Sequence, residues 1–211
     1  MSRNLLLRKL RIAHVDFIDS RGLGSHCRAM GLDYDASVRY LLARKYMIRI
    51  FRGVFYLRSV EERDSGATRY NHLELVARGL ELKGVRSWYF GLHTALKINN
   101  VTHESFGIDD VMSTSVFRAR PMTIAGHSFK FYKVSGRLMG FGIVEKGGIR
   151  YSDLEKTILD FAYLWRYGGL PDAKIAADLS EWSAGASRKK IRGYLGNYPK
   201  ALRETVEKLM A

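Results

Sequence analysis

Between Ser37 and Arg52 the chain gathers side chains suited to a polyanion: Ser37, Arg39, Tyr40, Arg44, Lys45, Arg49 and Arg52. A guanidinium presents a planar fork of donors that matches phosphate or the edge of guanine, while lysine, tyrosine and serine add single phosphate contacts. A second basic run, Arg188, Lys189, Lys190 and Arg192, offers the same chemistry far along the chain. Residues for other chemistries do not assemble. No Gly-rich run ends in Gly-Lys-Ser/Thr, and no Gly-x-Ser-x-Gly elbow occurs. The histidines, 14, 26, 72, 93, 103 and 127, lack the His-Glu-x-x-His spacing, and Cys27 is the only cysteine. No catalytic residue, metal or cofactor is therefore expected.

The basic residues need elements to hold them. From Asp33, Val38, Leu41, Leu42 and Lys45 follow helical spacing, with Asp33 or Asp35 as N-cap. Lys45 falls near the C-terminal end, where the helix dipole favours a cation. After Tyr46 the period shortens to two, and Arg52-Gly53 separates Met47–Phe51 from Val54–Leu57 as a hairpin turn. Upstream, the first part of 3–18 reads as a helix. Asp19–Gly22 is a turn with Ser20 as a possible cap, 23–30 is a helix, and Gly31-Leu32 is a sharp turn. This order predicts a winged helix-turn-helix.

Composition agrees. The 211 residues carry a net charge of +14, which points to a polyanionic partner. Residues 1–60 hold 12 Lys/Arg against 4 Asp/Glu, so the charge is densest around the candidate site. No apolar run reaches the length of a membrane span, and Leu5-Leu6-Leu7 is too short for a signal-peptide core, so a cytoplasmic protein without membrane contact is expected.

The predicted fold class is α+β. A winged helix-turn-helix over 1–62 is followed by a mixed α/β domain over 67–211, with a small sheet and several helices. The polar stretch Glu61–Gly66 marks the boundary. Helices are expected over 68–83, 87–99, 154–167, 172–181 and 187–210. Strands are expected over 111–117, 128–134, 138–144 and 149–151. Ser152 and Glu155 read as a capping box. The aromatic clusters Trp88-Tyr89-Phe90 and Trp165/Tyr167 read as core or as a partner surface.

Three segments together resemble one family: R-I-F-R-G-V-F-Y-L from Arg49, S-W-Y-F-G-L-H-T-A-L-K from Ser87, and Y-S-D-L-E-K-T-I-L-D-F-A from Tyr151. They are similar to the AbiEi-type antitoxins, transcriptional regulators of AbiE (type IV) toxin–antitoxin systems. Arg52-Gly53-Val54-Phe55-Tyr56, His93–Leu96 and Ser152–Asp160 stand at the family's motif positions, with Phe55 intervening between the expected valine and tyrosine. The resemblance implies an N-terminal domain that represses its own operon by binding inverted repeats in double-stranded promoter DNA. It also implies a C-terminal domain that counteracts a nucleotidyltransferase-like toxin. Two rival expectations remain. One is a metal-dependent nuclease built around Glu145 and Lys146, with the winged helix for delivery. The other is a module whose basic face binds an acidic protein.

Overall fold

The computed structural model describes residues 2–104 and 106–210. The chain is α+β, with ten helices and two sheets among the described residues. One compact unit comprises residues up to Arg86 together with 123–127, and the remainder forms a second. No described helix is long and apolar enough to cross a membrane.

The first unit runs α1 (Ser2–Ile12), β1 (Phe17–Asp19), α2 (Ser20–Ala29), α3 (Tyr34–Ala43), β2 (Met47–Phe51), β3 (Val54–Leu57), α4 (Val60–Ser65) and α5 (His72–Leu82). The strands form an antiparallel sheet in the order β1-β3-β2. Its helix α2 starts earlier than expected. Asp19, not Ser20, is the cap, accepting from Gly22 N–H at 2.6 Å. Gly31, at φ +63, turns α2 into α3. Of the two candidate caps for α3, Asp33 serves, accepting from Ala36 N–H at 2.7 Å. Gly53, at φ +76, closes the two-residue turn between β2 and β3, a backbone shape that suits glycine.

All four residues of β3 are buried. Phe55 and Leu57 face a core with Leu6, Leu10, Leu23, Val38 and Leu41. Tyr56 instead packs at 5.0 Å from Phe17 and 5.7 Å from Tyr70. A strand covered on both faces reads as a continuous apolar run, and α5 supplies the second cover by packing on all three strands. Gly79 makes this approach possible, because a Cβ there would lie 2.5 Å from Ile50 Cγ2. Gly79→Ala is therefore expected to destabilise the unit by about 1–3 kcal/mol through overpacking, although helix propensity alone favours alanine by about 1 kcal/mol. Urea unfolding checks this, and a stabilised variant contradicts it.

This second cover corrects the expected boundary at 62–67. Glu61–Gly66 is not a linker. It contains α4, capped reciprocally by Ser59 and Glu62 and closed by Gly66 at φ +76. The Glu62 carboxylate also accepts from the Tyr56 hydroxyl and Arg69 N–H. Burial works to raise the Glu62 carboxyl, but these donors, Ser59 N–H and the Arg69 charge hold it below the ordinary range. A depressed carboxylate contributes stability that is present above its unfolded value, about 4.3, and is lost as pH falls through its folded value. Glu62→Gln is expected to remove this part of the acid dependence below about pH 5. Unfolding free energies measured at a series of pH values, with an unchanged slope in the variant, would contradict it.

The second sheet, in the order β6-β7-β5-β4-β9-β8, is built from β4 (Trp88–Phe90), β5 (Ile108–Ser113), β6 (Met122–Ile124), β7 (His127–Lys133), β8 (Ile143–Lys146) and β9 (Ile149–Ser152). It is mixed: β4 runs antiparallel to β5 and parallel to β9, and β5 runs parallel to β7. The helix expected over 87–99 is instead β4 followed by α6 (Leu92–Ile98). Trp88, Tyr89 and Phe90 are all buried, and a central strand accommodates three consecutive aromatics on its two faces. Leu138 belongs to a 3-10 turn, Gly136–Met139, rather than to a strand.

Helix α7 (Leu154–Tyr167) lies against α6, α8 (Asp172–Ser183), α9 (Arg188–Leu195) and α10 (Lys200–Met210). The expected helix over 187–210 is two helices, α9 and α10, separated by Gly196-Asn197-Tyr198-Pro199. The expected capping box is also different. Asp153 is the cap, accepting from Lys156 N–H at 2.9 Å. The Ser152 hydroxyl pairs with Thr157 Oγ1 at 2.7 Å. Glu155 accepts from Ser187 N–H at 2.9 Å, which ties α7 to the start of α9.

Candidate nucleic-acid interface

Helix α3 buries Ser37, Val38 and Leu41 and turns Asp35, Arg39 and Arg44 to solvent. Arg39 stands on the exposed side, and Arg44 is the C-terminal cap. Lys45 does not continue the helical stripe as expected. The helix ends at Ala43, and Lys45 adopts φ +57 in the turn toward β2, with its side chain exposed. Arg49 is exposed on β2, its guanidinium 5.9 Å from the Phe55 ring centroid. Arg52 occupies the hairpin turn and is exposed. None of Arg39, Arg44, Lys45, Arg49 and Arg52 has an ion-pair partner among the described residues. Unpaired cations retain their full charge for a polyanion, whereas a local carboxylate would compete for it.

Ser37 is a correction. It is fully buried, and its hydroxyl donates to Asp33 C=O at 2.6 Å, so it cannot reach a ligand. Tyr40 is half-buried, and its hydroxyl donates to Asn4 Oδ1 at 2.8 Å. Its ring lies 5.8 Å from the Arg3 guanidinium and 6.0 Å from that of Arg44. Tyr40 thus brackets two cations, and Arg3 joins the surface from the start of α1. Spacing along the chain gives no sign of Arg3, because its contact with α3 spans more than thirty residues. The hairpin is short, and Gly53 C=O accepts from Ser20 N–H at 2.7 Å. Its turn is therefore anchored beside the exposed Arg21.

The second basic run is only partly available. Arg188, Lys189, Lys190 and Arg192 are exposed on α9, but Lys190 Nζ lies 3.4 Å from Asp153 and 3.3 Å from Glu155. The Glu155 hydrogen bond and the Asp153 charge raise the Lys190 ammonium above its ordinary value. Lys190 therefore ties α9 to α7, and Lys189 and Arg192 carry what phosphate chemistry the run retains. Glu145, the carboxylate of the nuclease reading, is exposed on β8 and faces Arg150 at 3.8 Å. It belongs to no group of three potential metal ligands among the described residues.

No family model matches the chain, and no curated protein matches it. Its fold has a solved counterpart. The crystal structure of the RV2827C protein from Mycobacterium tuberculosis superposes with a TM-score of 0.61 at 12% identity, over 96% of this chain and 74% of that one. The likeness is one of fold, extending over both units.

Proposed function

We propose that the first unit is a winged helix-turn-helix that binds double-stranded DNA, with α3 in the major groove and the β2–β3 hairpin as a short wing on the backbone. One observation carries this reading. The order helix, strand, helix, helix, hairpin closes on a β1-β3-β2 sheet while leaving Arg39, Arg44, Lys45, Arg49 and Arg52 exposed and unpaired. Arg39 and Tyr40 approach the bases, while Arg44, Lys45, Arg49 and Arg52 bind phosphates. The chain then acts as a cytoplasmic repressor rather than an enzyme. By its resemblance to AbiEi-type antitoxins, it binds inverted repeats in its own promoter, and its second unit engages a nucleotidyltransferase-like toxin.

A reporter driven by the DNA upstream of this gene tests the reading in cells. Supplying the chain is expected to lower reporter output, and Arg44→Ala/Arg52→Ala is expected to restore it at equal protein level. Reporter output that ignores the chain would contradict a repressor role.

A further inference from the structure

The second unit contains a groove that DNA binding does not use. It encloses about 570 Å3 and is lined by His93, Phe106, Ile108, Asp110, Lys130 and Tyr132, among others. This size suits a small-molecule ligand. Asp110 lies at its floor, only 3% exposed. Its Oδ2 accepts from His93 N–H at 3.2 Å and lies 3.2 Å from His93 Nδ1. A carboxylate oxygen accepts, so this pairing sets Nδ1 as the donor and leaves Nε2 as the ring's acceptor. The Tyr132 hydroxyl also bonds to Asp110. Burial, then the Asp110 charge, push that phenol well up, so it remains a donor.

The backbone beneath His93 is unusual. Leu92, 4% exposed, adopts φ +49 at the elbow between β4 and α6. A left-handed leucine is strained, and such strain gathers where a side chain must be held for use. Phe106 and Ile108 give the groove an apolar wall. The Phe106 ring lies 4.3 Å from that of His93, and Ile108 is 41% exposed. Lys130 stands 5.8 Å from the Tyr132 ring centroid, with its ammonium on Ala119 C=O. It is the only Lys or Arg among the lining residues described, and the one lining carboxylate, Asp110, is already engaged.

We infer that this groove binds a mononucleotide, with the base against Phe106 and Ile108 and the phosphate on Lys130. The Phe106 ring favours stacking of a planar base, and the Lys130 ammonium offers a charge-assisted donor to an anion. A purely structural role for the His93–Asp110 pair would need neither the lysine nor the exposed apolar wall.

Isothermal titration of the full chain with AMP in EDTA tests this, with adenosine and inorganic phosphate as controls. AMP is expected to bind with a saturable heat and at least about tenfold more tightly than either control, since it makes both sets of contacts. Lys130→Ala and Phe106→Ala are each expected to weaken it by about tenfold or more, with thermal unfolding unchanged. Absence of AMP binding overturns the inference. Inorganic phosphate binding as well as AMP also overturns it, as does AMP affinity unaffected by both variants. Either of the last two outcomes places the anion on the general basic surface.

Discussion

Asp160→Ala is expected to destabilise the second unit by about 3–5 kcal/mol, the cost of leaving a buried charge without its partner. Asp160 and Lys156 are both fully buried on α7. Asp160 Oδ1 lies 3.3 Å from Lys156 Nζ and accepts from the Tyr198 hydroxyl at 2.7 Å, while Oδ2 accepts from Tyr89 at 2.9 Å. The ammonium sits 4.5 Å from the Phe141 ring centroid and 4.6 Å from that of Tyr89. One carboxylate therefore joins α7 to β4 and to the segment that precedes α10. Burial raises the Asp160 carboxyl and lowers the Lys156 ammonium, outweighing the attraction between them. The pair is a positional lock maintained against desolvation, so its value is shown by removing one side at a time.

The linkage follows from those directions. A raised carboxyl makes the folded state hold its proton more tightly than the unfolded chain, and a lowered ammonium makes it hold its proton less tightly. The two contributions change with pH in opposite senses. Their coupling is cleaner to read by mutation than by titration. Lys156→Met and Asp160→Ala are each expected to cost several kcal/mol, and Lys156→Met/Asp160→Asn less than the sum of Lys156→Met and Asp160→Asn alone, by at least about 1 kcal/mol. Urea denaturation at neutral pH gives all these values. Additive losses would contradict the lock.

Replacing Arg39, Arg44, Arg49 and Arg52 together by alanine is expected to lower DNA affinity at least about 100-fold at moderate salt. It is also expected to reduce the steepness of the salt dependence by about two to four in log–log slope, since each lost phosphate contact removes roughly 0.9. All four side chains are exposed, so the unfolding midpoint is expected to move little. Anisotropy titrations at several salt concentrations measure both quantities. A variant with a wild-type slope would place the phosphate contacts elsewhere on the protein.

The sequence carried the local signals of the candidate interface and missed the tertiary ones. Cap, turn and period placed α3 and the β2–β3 hairpin, because each is encoded within about twenty residues. Ser37 looked available because spacing alone does not show that its hydroxyl turns back onto Asp33 C=O. Arg3 went unnoticed because only the folded chain brings α1 beside Tyr40. The boundary at Glu61–Gly66 rested on polarity, yet the unbroken apolar run Val54–Leu57 already implied a sheet covered twice, and α5 is that cover. Trp88–Phe90 followed helical spacing as readily as strand spacing, and burial on both faces decided for β4. The segment Ser152–Asp160, whose Ser152 and Glu155 read as a capping box, instead pairs Ser152 with Thr157 and Lys156 with Asp160 inside the fold.

Recognition of a specific DNA sequence by the first unit, as proposed above, separates a repressor from a general polyanion binder. Its most direct test is a fluorescence-anisotropy titration of the full chain against the DNA upstream of this gene and against a scrambled duplex, at two salt concentrations. Tighter binding to the upstream duplex at both salts is the expected result. Equal, salt-sensitive binding to the two would contradict the claim, leaving a basic protein drawn to any polyanion.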